Sequence, residues 1–130
     1  MLHFVSEYDP STTGFEAGFK IDLNESLIHH PNSTYLMRMD SSELVGSHIL
    51  QGDMLVVDRS VPPLHGSLVV VHLNGQRLVR IYEKQQNKIA LYNSLLTGKH
   101  PTYLKPHDIF EVFGTVIHIL RTYNLNHPSV

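Results

Sequence analysis

The chain has 130 residues, 42% of them apolar, a formal charge of -2 at pH 7 and no cysteine. A chain of this length buries roughly two thirds of its unfolded surface in one core, and the lack of thiols excludes disulfides and thiolate chemistry. The longest apolar runs, 68–71 and 116–120, fall far short of the ~20 residues that cross a bilayer. The first residues lack the basic flank of a secretory signal, and Lys and Arg are scattered rather than clustered as phosphate binding requires. The expectation is a cytoplasmic protein with no membrane segment and no direct contact with nucleic acid.

Residues 1–20 carry Pro10, Gly14 and Gly18 among Ser and Thr, with Phe4, Phe15 and Phe19 irregularly spaced, and read as a flexible arm. Asp22 with Glu25 three residues on has the form of a capping box, and Leu23, Leu27 and Ile28 make one apolar stripe. The short helix they predict must end before Pro31. Strand signals then follow at 34–39, 53–58, 67–73, 76–82, 88–92 and 112–120, separated by turn residues. The fold expected over 21–122 is therefore mainly β, a curled, mostly antiparallel sheet with one or two short helices. Asn74-Gly75 suits a two-residue type I′ turn, whose central residues both need positive φ. That turn sets Val70 opposite Val79 and Val69 opposite Arg80, so Val69, Val71, Leu78, Arg80 and Tyr82 share a face and a guanidinium is projected among apolar side chains. Residues 123–130 read as a frayed tail.

A series of residues in fixed order carries a resemblance to a known family: Ile21-Asp22-Leu23-Asn24, Leu27-Ile28, His30-Pro31, Tyr35, Gly52-Asp53, Leu55-Val56-Val57-Asp58, His65-Gly66, Asn74-Gly75, Asn93-Ser94 and the run from Val112 to His118. The chain resembles the LexA/UmuD family of SOS-response autopeptidases, and within it the UmuD branch. The resemblance implies a β-clip domain resembling the LexA/UmuD C-terminal domain. It further implies a homodimer that cleaves its own arm when stimulated by a RecA filament and then serves an error-prone polymerase in translesion synthesis. The chemistry of such proteins uses a serine nucleophile and a lysine base kept neutral by burial.

Laid over the family pattern without a gap, the sequence places Glu43 at the nucleophile and Arg80 at the base. Glutamate cannot form the ordinary acyl intermediate, and arginine, with a pKa above ~12, cannot act as base. Both halves of the dyad would be missing, which points to a catalytically silent subunit. The two residues are also complementary, and a Glu43–Arg80 ion pair is expected, worth ~3–5 kcal/mol against removal of one partner if it is buried. The alternative keeps catalysis with Ser42 or Ser41 as a displaced nucleophile, although the nearest lysines, Lys84 and Lys88, lie beyond the paired strand. A third possibility is a decoy that forms mixed dimers with an active paralogue.

Cleavage in the family precedes a glycine that follows cysteine or alanine, and the candidates here are Thr13-Gly14 and Ala17-Gly18, both closer to the cleft than the family's spacing. Ten histidines raise the question of zinc. However, His29-His30, His65, His72, His100, His107 and His118 show no metal-ligand spacing and no cysteine companion, so neither metal nor cofactor is expected. His48 could line the cleft or sit in solvent. Asp53 after Gly52 reads as turn chemistry, and Tyr82, Tyr92 and Tyr103 read as core or rim. Since strand edges offer main-chain hydrogen bonds, 112–120 is the expected dimer strand.

Overall fold

The computed structural model describes residues 22–93 and 101–123. The expected arm and nearly all of the tail lie outside that range, as do the cleavage candidates Thr13, Gly14, Ala17 and Gly18. At the start of the described chain the Asp22 side chain accepts from the backbone N–H groups of Asn24 and Glu25, capping helix α1, Leu23–Leu27. A bond of this kind satisfies donors that the first helical turn leaves free. The apolar stripe of α1 is not core, contrary to its pattern: Leu23 is 61% exposed. Five residues are too few to place a whole face against the sheet. Two 3-10 turns, Pro31–Ser33 and Val45–Ser47, complete the helical content among the described residues.

The strands are β1 Thr34–Arg38, β2 Met54–Asp58, β3 Leu68–Leu73, β4 Gln76–Gln85, β5 Lys88–Tyr92, β6 Thr102–Tyr103 and β7 Phe110–Leu120. They form one sheet in the order β1-β2-β7-β3-β4-β5-β6, and all six pairings are antiparallel. The fold is thus mainly β, as expected, with β4 three residues longer than the pattern indicated and the two-residue β6 carrying no signal of its own. The β3–β4 register is the one the turn dictated, Val69 opposite Arg80 and Leu73 opposite Gln76, with Asn74 at φ 50° and Gly75 at φ 86°.

Alternation sends the side chains into separate cores. Leu55, Val57 and Val70 join Met39, Leu44 and Ile49 in one cluster, against which Val79 packs. Val69, Val71, Tyr82 and Leu91 form another, with Leu78 against it, while Ile81, Ala90 and Tyr92 form a third. Tyr82 and Tyr92 are core, and Tyr103 is an exposed rim residue.

The placing of β7 differs from expectation. It lies inside the sheet, between β2 and β3, because its eleven residues are long enough to serve two partners in turn. Residues 110–115 pair with β3 and 115–120 with β2, so each half is paired on one side. The register slips at two points. Phe113 is the extra residue between Gly114 and Val112, which face Val70 and Val71. Ile117 is the extra residue between His118 and Val116, which face Val56 and Val57. Such bulges bend a strand and re-aim its side chains, and they give this sheet its curl. At the crossing Gly114 is close to β2: a Cβ there would stand 2.7 Å from Val57 Cγ1.

Candidate functional site

Beside β1 runs an open groove of about 1110 Å³. Its walls are β1, the loop that follows it through Glu43, the β3–β4 hairpin and the first half of β7. The loop is fixed at both ends: Met39 N–H donates to the Asp53 carbonyl at 2.8 Å and Gly52 N–H to the Met39 carbonyl at 2.7 Å. Leu44, fully buried, pins the middle, so the side chain before it is held at the groove.

That side chain is Glu43, and it meets Arg80. Arg80 Nη1 donates to Glu43 Oε1 and also to the Val79 carbonyl at 2.8 Å, so the guanidinium folds back over its own strand toward the loop. Ser41 Oγ donates to the other carboxylate oxygen, Oε2, at 3.2 Å. The ion pair expected from the sequence forms, but it is not buried: Arg80 is 17% exposed and Glu43 38%. Water reaches the carboxylate, so the value for a dry pair does not apply and the contact belongs with partly screened pairs. Ser42 is exposed, and its carbonyl accepts from Val45 N–H at 3.1 Å.

The lysines named as distant lie on the far part of the sheet. Lys84 is within β4, opposite Ile89, and Lys88 opens β5 with its amine 5.5 Å from the centre of the Tyr103 ring. Neither lines the groove. His48 is exposed and takes a left-handed φ of 66° after the 3-10 turn, away from the groove lining. Among the described residues no group of three or more His, Asp or Glu is placed to hold a metal ion, and no helix is long and apolar enough to cross a membrane.

Two buried carboxylates, Asp53 and Asp58, lie outside the groove lining. Asp53 performs the turn chemistry read for it, accepting from Leu50 N–H at 2.8 Å. It also takes Arg121 in a two-bonded fork, Nε to Oδ1 and Nη2 to Oδ2, both 2.7 Å. The Arg121 bonds hold the Asp53 carboxyl below the usual aspartate range despite burial. Asp58 accepts from the Ser60 hydroxyl at 2.7 Å, Ser60 N–H at 2.8 Å and Ser33 Oγ at 3.1 Å, and bonds His30 Nδ1 at 2.6 Å. The Ser60 hydroxyl first, then His30, keep this carboxyl far below its ordinary value against the opposing effect of burial. These partners tie residues 30–33 to the sheet. Sequence reasoning missed both networks, since the partners stand 68 and 28 residues apart and no local periodicity links them.

Positions 9–117 match the family model described as Peptidase S24-like. The chain is 38% identical over 112 residues to protein MucA of Salmonella typhimurium and of Escherichia coli, a match covering 84% of this chain and 71% of each relative. Protein SamA of Salmonella typhimurium is 31% identical over 106 residues, 79% of this chain and 72% of the relative. The LexA repressor of Syntrophotalea carbinolica is 25% identical over 89 residues, 68% of this chain and 44% of the relative.

Proposed function

We propose, from the premise that the chain belongs to the Peptidase S24-like family of LexA- and UmuD-like proteins, that it is a catalytically silent UmuD-like subunit. In this reading it forms a homodimer and presents its sheet and its N-terminal arm to an error-prone polymerase, within the SOS response and translesion synthesis of a bacterial cytoplasm. A RecA filament would be the stimulus for family members that retain the dyad.

The observation that carries the reading is the Glu43–Arg80 contact. A serine/lysine peptidase needs an alkoxide precursor within reach of a neutral amine. At the positions read from the family pattern as that dyad stand a carboxylate and a guanidinium that stays protonated throughout the accessible pH range. In this reading the two groups pair with each other and supply neither a serine nucleophile nor an amine base. For the dimer, the two halves of β7 that are bonded on one side only remain the main-chain surface of choice, as half-edges of an interior strand rather than a rim strand.

One contact favours the enzymatic alternative. Ser41 Oγ points its hydrogen bond at Glu43 Oε2, which places a displaced hydroxyl beside a carboxylate in the groove. The two readings separate on incubation of the full chain at alkaline pH, where active family members cut themselves, followed by intact-mass measurement. The silent subunit keeps its mass. Loss of a fragment ending near Thr13 or Ala17, abolished by Ser41→Ala or Ser42→Ala, would establish the autopeptidase instead.

A further inference from the structure

The tip of the β3–β4 hairpin carries a chemistry that the subunit reading does not use. An asparagine followed by glycine can react with itself. The Gly75 nitrogen, deprotonated by hydroxide, attacks Asn74 Cγ; the N–Cγ bond forms, the Cγ–Nδ2 bond breaks, and Nδ2 takes a proton from water and leaves as ammonia. Water then opens the cyclic imide at one carbonyl or the other, giving aspartate or isoaspartate, so the net change consumes water and releases ammonia. Glycine favours the attack because it has no side chain to shield its nitrogen and its backbone turns freely. Both residues are exposed, and a Cβ on Gly75 would meet nothing within 4 Å, so the nucleophile is open to base.

The carboxamide, in contrast, is engaged at both ends. Asn74 Oδ1 accepts from Ile109 N–H at 2.9 Å, and Nδ2 donates to Asp108 Oδ1 at 3.0 Å. Asn74 N–H also donates to the Ile109 carbonyl at 2.8 Å, which clasps the hairpin tip to the loop before β7. Asp108 is fixed in turn, its Oδ2 accepting from Lys105 N–H at 2.7 Å. The Asn74 bond first, then the Lys105 bond, hold the Asp108 carboxyl below the usual aspartate range. For Cγ to meet the Gly75 nitrogen the carboxamide must leave Asp108 and Ile109, and breaking a hydrogen bond to a charged group is the costlier part.

We propose that Asn74 is a latent modification site, kept closed by its clasp to Asp108 and Ile109, and that its conversion to aspartate or isoaspartate is a one-way change that leaves the clasp open. The product sets a second carboxylate where an amide donor served Asp108, so an attractive contact becomes a repulsive one. Isoaspartate also carries the side-chain methylene in the main chain and lengthens a turn whose geometry two residues define. Gly75 and Ile109 both line the groove, so opening the clasp reshapes that wall. This inference goes beyond the subunit reading and uses neither Glu43 nor Arg80.

The test incubates the full chain at mildly alkaline pH and follows the peptide containing Asn74 by chromatography and mass spectrometry. Asn87, exposed in the turn between β4 and β5, serves as the internal gauge. Asn74 should react about tenfold or more slowly in the wild type than in a synthetic peptide spanning 70–80, and Asp108→Ala should speed it about tenfold, as loss of a charge-assisted bond requires. Asp108→Asn should fall between, because an amide oxygen is a weaker acceptor than a carboxylate. Equal rates in the wild type and the peptide would overturn the proposal, and that comparison needs no variant to fold. So would an Asp108→Ala rate equal to that of the wild type, or an equal rise at Asn87, which would assign the effect to general loosening. For the product, Asn74→Asp should speed hydrogen exchange at the Ile109 amide about tenfold; unchanged exchange would show that the clasp survives conversion and would overturn the one-way change. An arm cut during the same incubation would sink the silent-subunit reading and leave the Asn74 rates to decide this one.

Discussion

Glu43→Ala, Arg80→Ala and the two together form a double-mutant cycle on the contact that defines the site. The structure sets its size. A buried pair loses ~3–5 kcal/mol when one partner goes, and a fully exposed pair contributes ~0.2–1 kcal/mol. With Arg80 17% and Glu43 38% exposed, the coupling should lie near the upper end of the exposed range, at ~1 kcal/mol. Arg80→Ala costs more than this because its aliphatic stem also leaves a half-buried position, whereas Glu43→Ala costs close to the coupling itself. For a chain of this length ~1 kcal/mol corresponds to a Tm shift of about 3–5 °C.

Urea unfolding of the four proteins, followed by circular dichroism, gives the coupling directly. Repeating the set from 0.1 M to 1 M salt should shrink it, since the screening length falls from ~10 Å to ~3 Å. A coupling of zero at low salt would mean that the carboxylate and the guanidinium do not meet. A coupling above ~3 kcal/mol that ignores salt would mean that the pair is dry, and either result refutes the electrostatic account of the groove.

Glu43→Ser combined with Arg80→Lys should create a nucleophile and a titratable amine at the two aligned positions, and intact-mass measurement at alkaline pH should then show loss of the arm. An unchanged mass together with unchanged stability would count against the alignment. Asp53 has a folded pKa below the unfolded value of 3.8, so its stabilisation is fully present above that value and is lost as pH falls below it through the folded pKa. The urea midpoint of the wild type should drop as pH is taken below 3.8, and Asp53→Asn, already weaker at pH 7, should drop less. Parallel curves would show that Arg121 does not hold the carboxyl. Gly114→Ala puts a Cβ 2.7 Å from Val57 Cγ1 and 3.3 Å from the Asp58 carbonyl, an overpacking expected to cost about 1–3 kcal/mol in urea; a neutral effect would mean that β2 and β7 can separate at their crossing.

What the sequence revealed and what it hid divide along physical lines. The β3–β4 register was legible because Asn74-Gly75 demands one turn geometry, and from it followed the opposition of Val69 and Arg80. The α1 cap was legible for the same reason, an aspartate beside free N–H donors. Glu43 opposite Arg80 was reached through the family resemblance, which sets position 43 by its distance from Gly52-Asp53 and position 80 by the register that Asn74-Gly75 holds. The position of β7 was not legible: an alternating apolar strand looks the same at a rim or inside, and only its length, eleven residues against the five of β2 and six of β3, hints at two partners. The Asp53–Arg121 and Asp58–His30 bonds join residues that no periodicity connects. Phe113 was hidden because a bulge leaves no mark in a run of β-forming residues, yet Phe113 is the extra residue of that bulge, with the Arg59 guanidinium 4.4 Å from its ring centroid.

In the silent-subunit reading Glu43 and Arg80 replace the two dyad residues together, and their pairing gives that double replacement an electrostatic logic. Glu43→Ser alone leaves a guanidinium that is 17% exposed with the Val79 carbonyl as its remaining acceptor, and a half-buried cation without a counter-charge is costly. Arg80→Lys alone keeps a cation opposite the carboxylate, which is held in the native pair by a single Nη1–Oε1 contact. The first variant should therefore be the less stable, by about 1 kcal/mol, and the order of the two urea midpoints reports it. An arginine held against β4 is served by an acid on the facing loop, and Glu43 supplies it; the reverse order of midpoints would mean that Arg80 is content in water and that residues 43 and 80 have no energetic connection.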